Sequence, residues 1–350
     1  MKVFFRADAS ARVGAGHLMR CLALAETLRG RGAQIRFICR AHAGNVIALL
    51  QQKAMPVTVL HVPTSEEGYA AWLGMTQAAD ADQTIKALGG EKPDWLVVDH
   101  YGIDIEWETH LRPHIGKLMV IDDLANRNHD CDLLLDQNYA VDGERRYGSL
   151  VSPQCTVLLG PRYTLLKKEF KELRERLVTR LHELKRILVF FTAGDDQGET
   201  LKAMRGIELF GKAGHVDVVV GQSNPNNAEI IKKCAELHWG YHCQIDYMPA
   251  LIAHADLVIG AGGSSNWERC ALGVPALIAI LAENQISIAQ ALDSAGVVRN
   301  LGWCNNLQAA DYANALSAMN RLHLASMSEK ALELVDALGA ERVADVLLSV

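Results

Sequence analysis

Short, largely apolar runs rich in β-branched and aromatic residues alternate along this chain with longer segments of helical period. That alternation limits the possible fold more than any other feature. In the first half the runs are Val3–Phe5, Ile35–Cys39, Val57–Leu60, Trp95–Val98, Leu118–Ile121, Leu133–Leu135 and Thr156–Leu159. In the second half they are Ile187–Phe191, Val216–Val220, Leu257–Ile259 and Ala276–Ile280. A strand wetted on one face alternates polar with apolar residues, whereas an apolar run is covered on both faces, as in a parallel sheet flanked by helices. The segment His17–Arg29 supplies one such helix, with Leu18, Cys21, Leu22, Ala25 and Leu28 in a single stripe. With 350 residues, the chain is too long for one ordinary core at about 150 residues per domain. The expected fold is therefore α/β, with two doubly wound, Rossmann-like parallel-sheet domains in tandem facing a cleft.

Between the two halves the chain reads KKEFKELRERLVTRLHELKR from Lys167 to Arg186, charged and free of glycine and proline. That composition predicts a solvated connecting helix. The expected organisation is a first domain over 1–165, a linker helix over 166–186 and a second domain over 187–310. An alanine- and leucine-rich helical segment over 311–350 has packing as its role.

Charge and composition remove whole classes of function. Thirty-five basic against 41 acidic residues give a net charge of −6, without the concentrated positive charge that nucleic acid or an anionic membrane needs. The apolar stretch Val274–Ala282 is about half the ~20 residues that cross a bilayer, so no membrane insertion is expected. Arg6 and Asp8 fall where a signal peptide needs its apolar region, which predicts a cytoplasmic protein. Eight cysteines are scattered without a CxxC pair, the pattern of reduced thiols. Cys234, His238, His242 and Cys243 imitate a metal site, but Gly240 is expected to end their helix first. No metal, nicotinamide or other cofactor is expected, and no obligate protein partner is evident.

Ligands of open parallel sheets bind beyond the carboxyl ends of the strands, and polar residues gather there. Arg6, Asp8 and Ser10 follow the first run; Asp99, His100 and Tyr101 follow WLVV; Asp122 and Asp123 follow LMVI. The loop Gly14-Ala15-Gly16 before His17 is only half a dinucleotide signature, because position 19 is Met. What it offers is a histidine in the first turn of a helix, where the macrodipole favours neutral imidazole and hence a general base. Arg20, at i+3, shares its face. A second loop, GAGGSSNWE, carries Gly260, Gly262 and Gly263 for close backbone approach to an anion, with Ser264 and Ser265 as hydroxyl donors. Glu268, one turn on, could accept both hydroxyls of a ribose; Asn284 and Gln285 follow the next apolar run. There is no Walker lysine, and the Asp80-Ala81-Asp82 match to a metal-binding DxD lies in a helical stretch and is expected to be accidental.

Taken together, GxGH near the start and GGSSxxE…GxP…NQ late resemble the GT-B nucleotide-sugar enzymes, including the lipid II glycosyltransferase. More closely, RADAS…VGAGHLMRCLALAETL, VVDHYGIDIEWE, VIDDLANRNHDCDLLLDQNY and LGPRYTLLKKEF resemble the UDP-2,4-diacetamido-2,4,6-trideoxy-β-L-altropyranose hydrolases of pseudaminic acid synthesis. The resemblance runs to about residue 305 and implies a UDP-sugar substrate, with water as the second reactant. It makes His17 the base that activates water, gives Gly262, Gly263, Ser264, Ser265 and Glu268 to UDP, and places Asp99 and Tyr101 on the sugar side. Asp8, Arg20, Asn284 and Gln285 complete the candidate set. The chain departs from the family at Thr192–Asp196, where a GGSD-like loop is common, and at Lys168, where an arginine is common. Two other readings stay open: a UDP-sugar glycosyltransferase using an acceptor hydroxyl, and a non-catalytic nucleotide-sugar binder.

Overall fold

A computed structural model describes residues 1–10, 14–61, 72–140, 143–177, 183–192, 194 and 196–349. They form two compact units, one of Met1–Lys167 with the stretch from Leu338 onward and one of Lys168–Ala337. Among the described residues the first unit holds a seven-stranded sheet. Its strands are β1 (Lys2–Ala7), β2 (Gln34–Arg40), β3 (Val57–Leu60), β4 (Trp95–Asp99), β5 (Lys117–Ile121), β6 (Leu133–Asp136) and β7 (Thr156–Leu159). They lie in the order β3-β2-β1-β4-β5-β6-β7 and every pairing is parallel. The second unit holds β8 (Arg186–Phe190), β9 (His215–Val220), β10 (Gly240–Cys243), β11 (Leu257–Ala261), β12 (Ala276–Ile280) and β13 (Arg299–Trp303). Their order is β10-β9-β8-β11-β12-β13, again parallel throughout.

The apolar runs become strands because both of their faces find cover. In the first unit Val3, Phe5, Phe37, Val97 and Ile121 pack on one side with Leu18, Leu22 and Leu28 of the Gly16–Gly30 helix. The alternate residues Phe4, Ile38, Leu96, Val98 and Val120 pack on the other with Trp107 and Leu111. Each order reverses direction once, between β1 and β4 in the first sheet and between β8 and β11 in the second. At such a reversal the two following loops leave on opposite faces, opening a crevice at the strands' carboxyl ends. Both glycine loops of the sequence sit at these two places, one after β1 and one after β11.

Three expectations differ from the structure. Among the described residues the charged stretch forms a helix over Lys168–Glu175, and that helix is docked rather than solvated: Phe170 is fully buried. Arg174 donates to the carbonyls of Ala271, Leu332 and Val335; residues 178–182 of the expected linker lie outside the described residues. The terminal segment divides as well. Helix Arg321–Leu334 belongs to the second unit, whereas helix Gly339–Ser349 returns to the first, where Val343, Ala344 and Leu347 join the core and Trp95 Nε1 donates to the Leu347 carbonyl at 3.1 Å. Finally, the helix Asn227–Leu237 ends at His238, which takes a left-handed φ of 55°, and Gly240 opens β10 instead of stopping the helix. A Cβ on Gly240 would lie 2.2 Å from Asp217 Oδ1.

Because Leu347 is fully buried in the first unit's core, Leu347→Ala should cost about 2–5 kcal/mol of stability. Hydrogen exchange should locate the loss. Faster exchange is expected in β1 and β4, with the strands of the second unit unchanged.

Candidate active site

The loop after β1 closes tightly. Gly14 takes φ +76°, a region that favours glycine, and its N–H donates to the Ser10 carbonyl at 2.8 Å. The Gly16–Gly30 helix starts two residues later, so His17 stands in its first turn, at the carboxyl end of β1 and beside β4. Asp99, the last residue of β4, is fully buried. Its Oδ1 accepts from His17 Nδ1 at 2.6 Å. Arg20 grips the same carboxylate with two bonds, Nε to Oδ2 at 2.6 Å and Nη2 to Oδ1 at 2.7 Å. Burial alone would raise the Asp99 pKa, but Arg20 and then His17 outweigh it and hold the carboxyl well below its usual range. An ionised carboxylate only accepts, so the 2.6 Å contact puts the proton of His17 on Nδ1, facing Asp99, and outweighs the longer 3.3 Å approach of Arg20 Nη2 to the same nitrogen. With that proton on Nδ1, the lone pair available to a ligand is at Nε2.

The rest of this cluster hangs on Arg20. Its Nη1 donates to Asp123 Oδ2 at 3.0 Å, and Asp123 Oδ1 accepts from the Tyr101 hydroxyl at 2.5 Å. Tyr101 lies edge-on to His17, with ring centroids 4.6 Å apart, and stacks on Trp72 at 5.5 Å. Burial first, then the charge of Asp123, keeps the Tyr101 phenol protonated. His17 and Arg20 remain only 9% and 7% exposed, so water has narrow access to the ring.

Asp8 does not line this cluster. Its carboxylate is fully buried, accepts from the Arg40 backbone N–H at 2.7 Å and pairs with Arg6 Nη1 at 2.7 Å. Arg6 in turn reaches Asp80 Oδ2 at 2.7 Å, Arg40 Nη2 pairs with the same oxygen at 2.5 Å, and Trp107 Nε1 donates to Asp80 Oδ1 at 2.9 Å. The Asp80-Ala81-Asp82 match is therefore a buried ionic junction at Asp80, while Asp82 is exposed beside His110. A signal for this junction was present in the sequence, since Arg6 and Arg40 interrupt otherwise apolar strands. Asp123 and Trp72 also carry the cluster without having been singled out as site residues.

The loop bearing Asp122 and Asp123 is anchored by a second buried group. Asp122 pairs with Arg127 at 2.8 Å and accepts from the Ala125 N–H and from the Tyr147 hydroxyl. His129, also buried, meets Glu108 Oε1 at 2.7 Å and faces Asp122 at 3.9 Å. Burial opposes its charge, but Asp122 and Glu108 win and raise its pKa to about 9.

In the second unit Gly262 and Gly263 follow β11, and the helix Ser265–Ala271 begins directly after them. The Gly262 N–H donates to the Ala279 carbonyl at 3.0 Å, and the Gly263 carbonyl accepts from both the N–H and the side-chain amide of Asn266. Gln285 packs on the loop, its Nε2 being 3.5 Å from where a Cβ on Gly263 would stand, and its Oε1 accepts from the Leu281 N–H. Ser264 and Asn284 are exposed, and Ser265 and Glu268 are half-buried. The structure thus gathers Gly262, Gly263, Ser264, Ser265, Glu268 and Gln285 at one strand end. It gathers His17, Arg20, Asp99 and Tyr101 at the other sheet's reversal point. Of the segment Thr192–Asp196, residues 193 and 195 lie outside the described residues. Among the described residues no group of three His, Cys, Asp or Glu side chains could hold a metal ion, and no helix is long and apolar enough to cross a membrane.

Known proteins resemble this chain in sequence and in fold. It is 30% identical over 253 residues, 71% of this chain and 79% of the relative, to a UDP-2,4-diacetamido-2,4,6-trideoxy-β-L-altropyranose hydrolase of Campylobacter jejuni. The crystal structure of MurG from Acinetobacter baumannii superposes with a TM-score of 0.67 at 15% identity, covering 100% of this chain and 99% of that one. The calicheamicin glycosyltransferase CalG4 superposes with a TM-score of 0.62 at 15% identity over 99% and 97% of the two chains. No family model matches the sequence.

His129 predicts a pH dependence. Its folded pKa of about 9 exceeds the ordinary value of about 6.5, so its stabilisation is complete below about pH 6.5 and is lost as pH rises through about 9. Unfolding free energy should fall by up to roughly 3 kcal/mol across that window, and His129→Gln should flatten the decline in urea titrations at successive pH values.

Proposed function

The chain belongs to the UDP-2,4-diacetamido-2,4,6-trideoxy-β-L-altropyranose hydrolase family and has the GT-B fold, and on that premise we propose that it hydrolyses a UDP-linked 2,4-diacetamido-2,4,6-trideoxy sugar. The bond cleaved is the anomeric C–O bond. The products are UDP and the free sugar, which feeds pseudaminic acid synthesis. The observation that carries this reading is the 2.6 Å bond between His17 Nδ1 and a buried Asp99 that also takes two bonds from Arg20 and one from the Cys21 thiol.

That bond sets the chemistry. With the Nδ1 proton committed to Asp99, Nε2 of His17 takes a proton from water as the water oxygen attacks the anomeric carbon. The C–O bond to the diphosphate breaks, and its electron pair stays on the departing UDP. Asp99 cannot serve as the base itself, because Arg20 occupies both of its oxygens and stabilises the charge. It orients the ring and balances the imidazolium that forms, the part an aspartate plays toward histidine in hydrolytic triads. One base and one displacement invert the anomeric configuration, in contrast to the carboxylate pair of retaining glycosidases. The glycine–serine loop receives the diphosphate on backbone N–H groups and stabilises the charge that develops there. Glu268 accepts the ribose hydroxyls, and Asn284 and Gln285 border the same loop. Tyr101 and Trp72 offer the sugar a stacked aromatic face beside His17.

The test is to incubate the purified protein with the UDP-sugar and no acceptor, following the anomeric proton by NMR. Free sugar should appear first as the inverted anomer. His17→Asn should lower kcat by roughly 10²-fold or more, and Asp99→Asn should lower it comparably by releasing the ring, with UDP affinity near wild type in both. An intact UDP-sugar that is turned over only when an acceptor alcohol is added would make the protein a glycosyltransferase.

A further inference from the structure

Four arginines are buried among the described residues: Arg6, Arg20, Arg40 and Arg269. The first three meet carboxylates: Arg6 pairs with Asp8 and Asp80, Arg20 with Asp99 and Asp123, and Arg40 with Asp80. Arg269 is 2% exposed and makes no ion pair with a carboxylate among the described residues, the neighbouring Glu268 acting on it only through its charge. Its Nη2 donates to the Ala261 carbonyl at 3.2 Å and to Asn266 Oδ1, while its Nε and Nη1 have no acceptor there. An isolated buried charge is expensive, by several kcal/mol after relaxation. Burial accordingly pulls the Arg269 pKa down, to about 10, which still leaves the group cationic at neutral pH.

Its position gives the charge a use. Arg269 Nη1 lies 3.0 Å from where a Cβ on Gly260 would stand, and the Phe190 carbonyl is 2.2 Å from the same point. The guanidinium therefore sits under the carboxyl ends of β8 and β11, where the strand order reverses, and the lack of a side chain at Gly260 makes room for it. It is also tied mechanically to the glycine loop. Arg269 fixes the amide of Asn266 through Oδ1, and the same amide donates from Nδ2 to the Gly263 carbonyl at 2.9 Å.

We infer that Arg269 is a positioning residue for the nucleotide, a buried cation without an ion pair whose field favours the substrate's diphosphate at the adjoining loop. This deepens the reading of the glycine–serine loop as the UDP site and rests on it. Arg269 acts through Asn266 and through space rather than by contact. Before binding, the second unit carries the cost of the unpaired charge; on binding, that cost is recovered as affinity for the anionic part of the ligand.

The experiment compares UDP with uridine, which shares the base and ribose but lacks the phosphates, by calorimetric titration of the full-length protein. Wild type should prefer UDP. In Arg269→Met the ratio of uridine to UDP dissociation constants should fall by about tenfold or more, while the ligand-free melting temperature stays level or rises. Asn266→Asp tests the same idea with the arginine in place, since a carboxylate next to the guanidinium supplies an internal counter-ion. It too should melt no lower without ligand and lose the preference for UDP, and it decides the matter if Arg269→Met does not fold. A UDP-to-uridine preference unchanged in Asn266→Asp, or in a folded Arg269→Met, would reduce Arg269 to a structural anchor and overturn the inference. If wild type itself binds UDP no better than uridine, the nucleotide assignment of the loop fails, and this inference fails with it.

Discussion

A carboxylate with no access to water organises the first unit. Asp99 ends a fully buried strand, where desolvation would favour its neutral form, and chiefly the paired bonds from Arg20 with the bond from His17 keep it ionised. Breaking such a buried pair from one side costs about 3–5 kcal/mol, so the geometry around Asp99 is enforced. The consequences spread outward along hydrogen bonds. Arg20 holds Asp123, Asp123 holds the Tyr101 hydroxyl, and the Tyr101 ring sets Trp72 and packs edge-on against His17. Fixing one charge thereby fixes a tautomer, a ring orientation and an aromatic wall.

The two sheets repeat one topological device with opposite electrostatic treatment. Each reverses its strand order once, and each reversal is followed by a glycine loop and a helix. In the first unit the buried charges at that point are paired with one another, down to a lower layer in which Asp80 joins Arg6, Arg40 and Trp107. In the second the loop is rich in glycine, and two nitrogens of the buried cation beneath it have no hydrogen-bond partner among the described residues. A paired site is preorganised for proton transfer, whereas an unpaired cation under exposed backbone suits a ligand that brings its own negative charge. On the proposed function, this division corresponds to the two chemical halves of a nucleotide sugar.

How far the sequence reveals this depends on the range of the interactions involved. Strands such as Val3–Phe5 and Leu257–Ile259 are legible because burial on both faces leaves a local compositional mark. The edge strand Arg299–Trp303 is not legible, since it is only partly buried and contains Gly302 at φ +98°. His17 and Asp99 could each be picked out, because one stands where a glycine loop opens a helix and the other where a strand gives way to a loop. Their contact, across 82 positions, could not be read from either. The Arg6–Asp80 pair spans 74 positions, and the local pattern around Asp80 pointed instead to an accidental motif on a helix. The charged stretch from Lys167 concealed Phe170, whose burial docks its helix. The terminal helical segment gave no local sign that it divides near Leu338, although Gly339, where a Cβ would come within 2.3 Å of the Thr164 carbonyl oxygen, is the residue that permits the return.

The central claim is that His17, fixed by Asp99, directs water to the anomeric carbon rather than to phosphorus. Hydrolysis in ¹⁸O-water followed by mass spectrometry of both products tests it most directly. The account predicts the label in the released sugar and none in UDP. Label in UDP would mean attack at phosphorus, as in a pyrophosphatase, and would contradict the mechanism even if His17 proved essential.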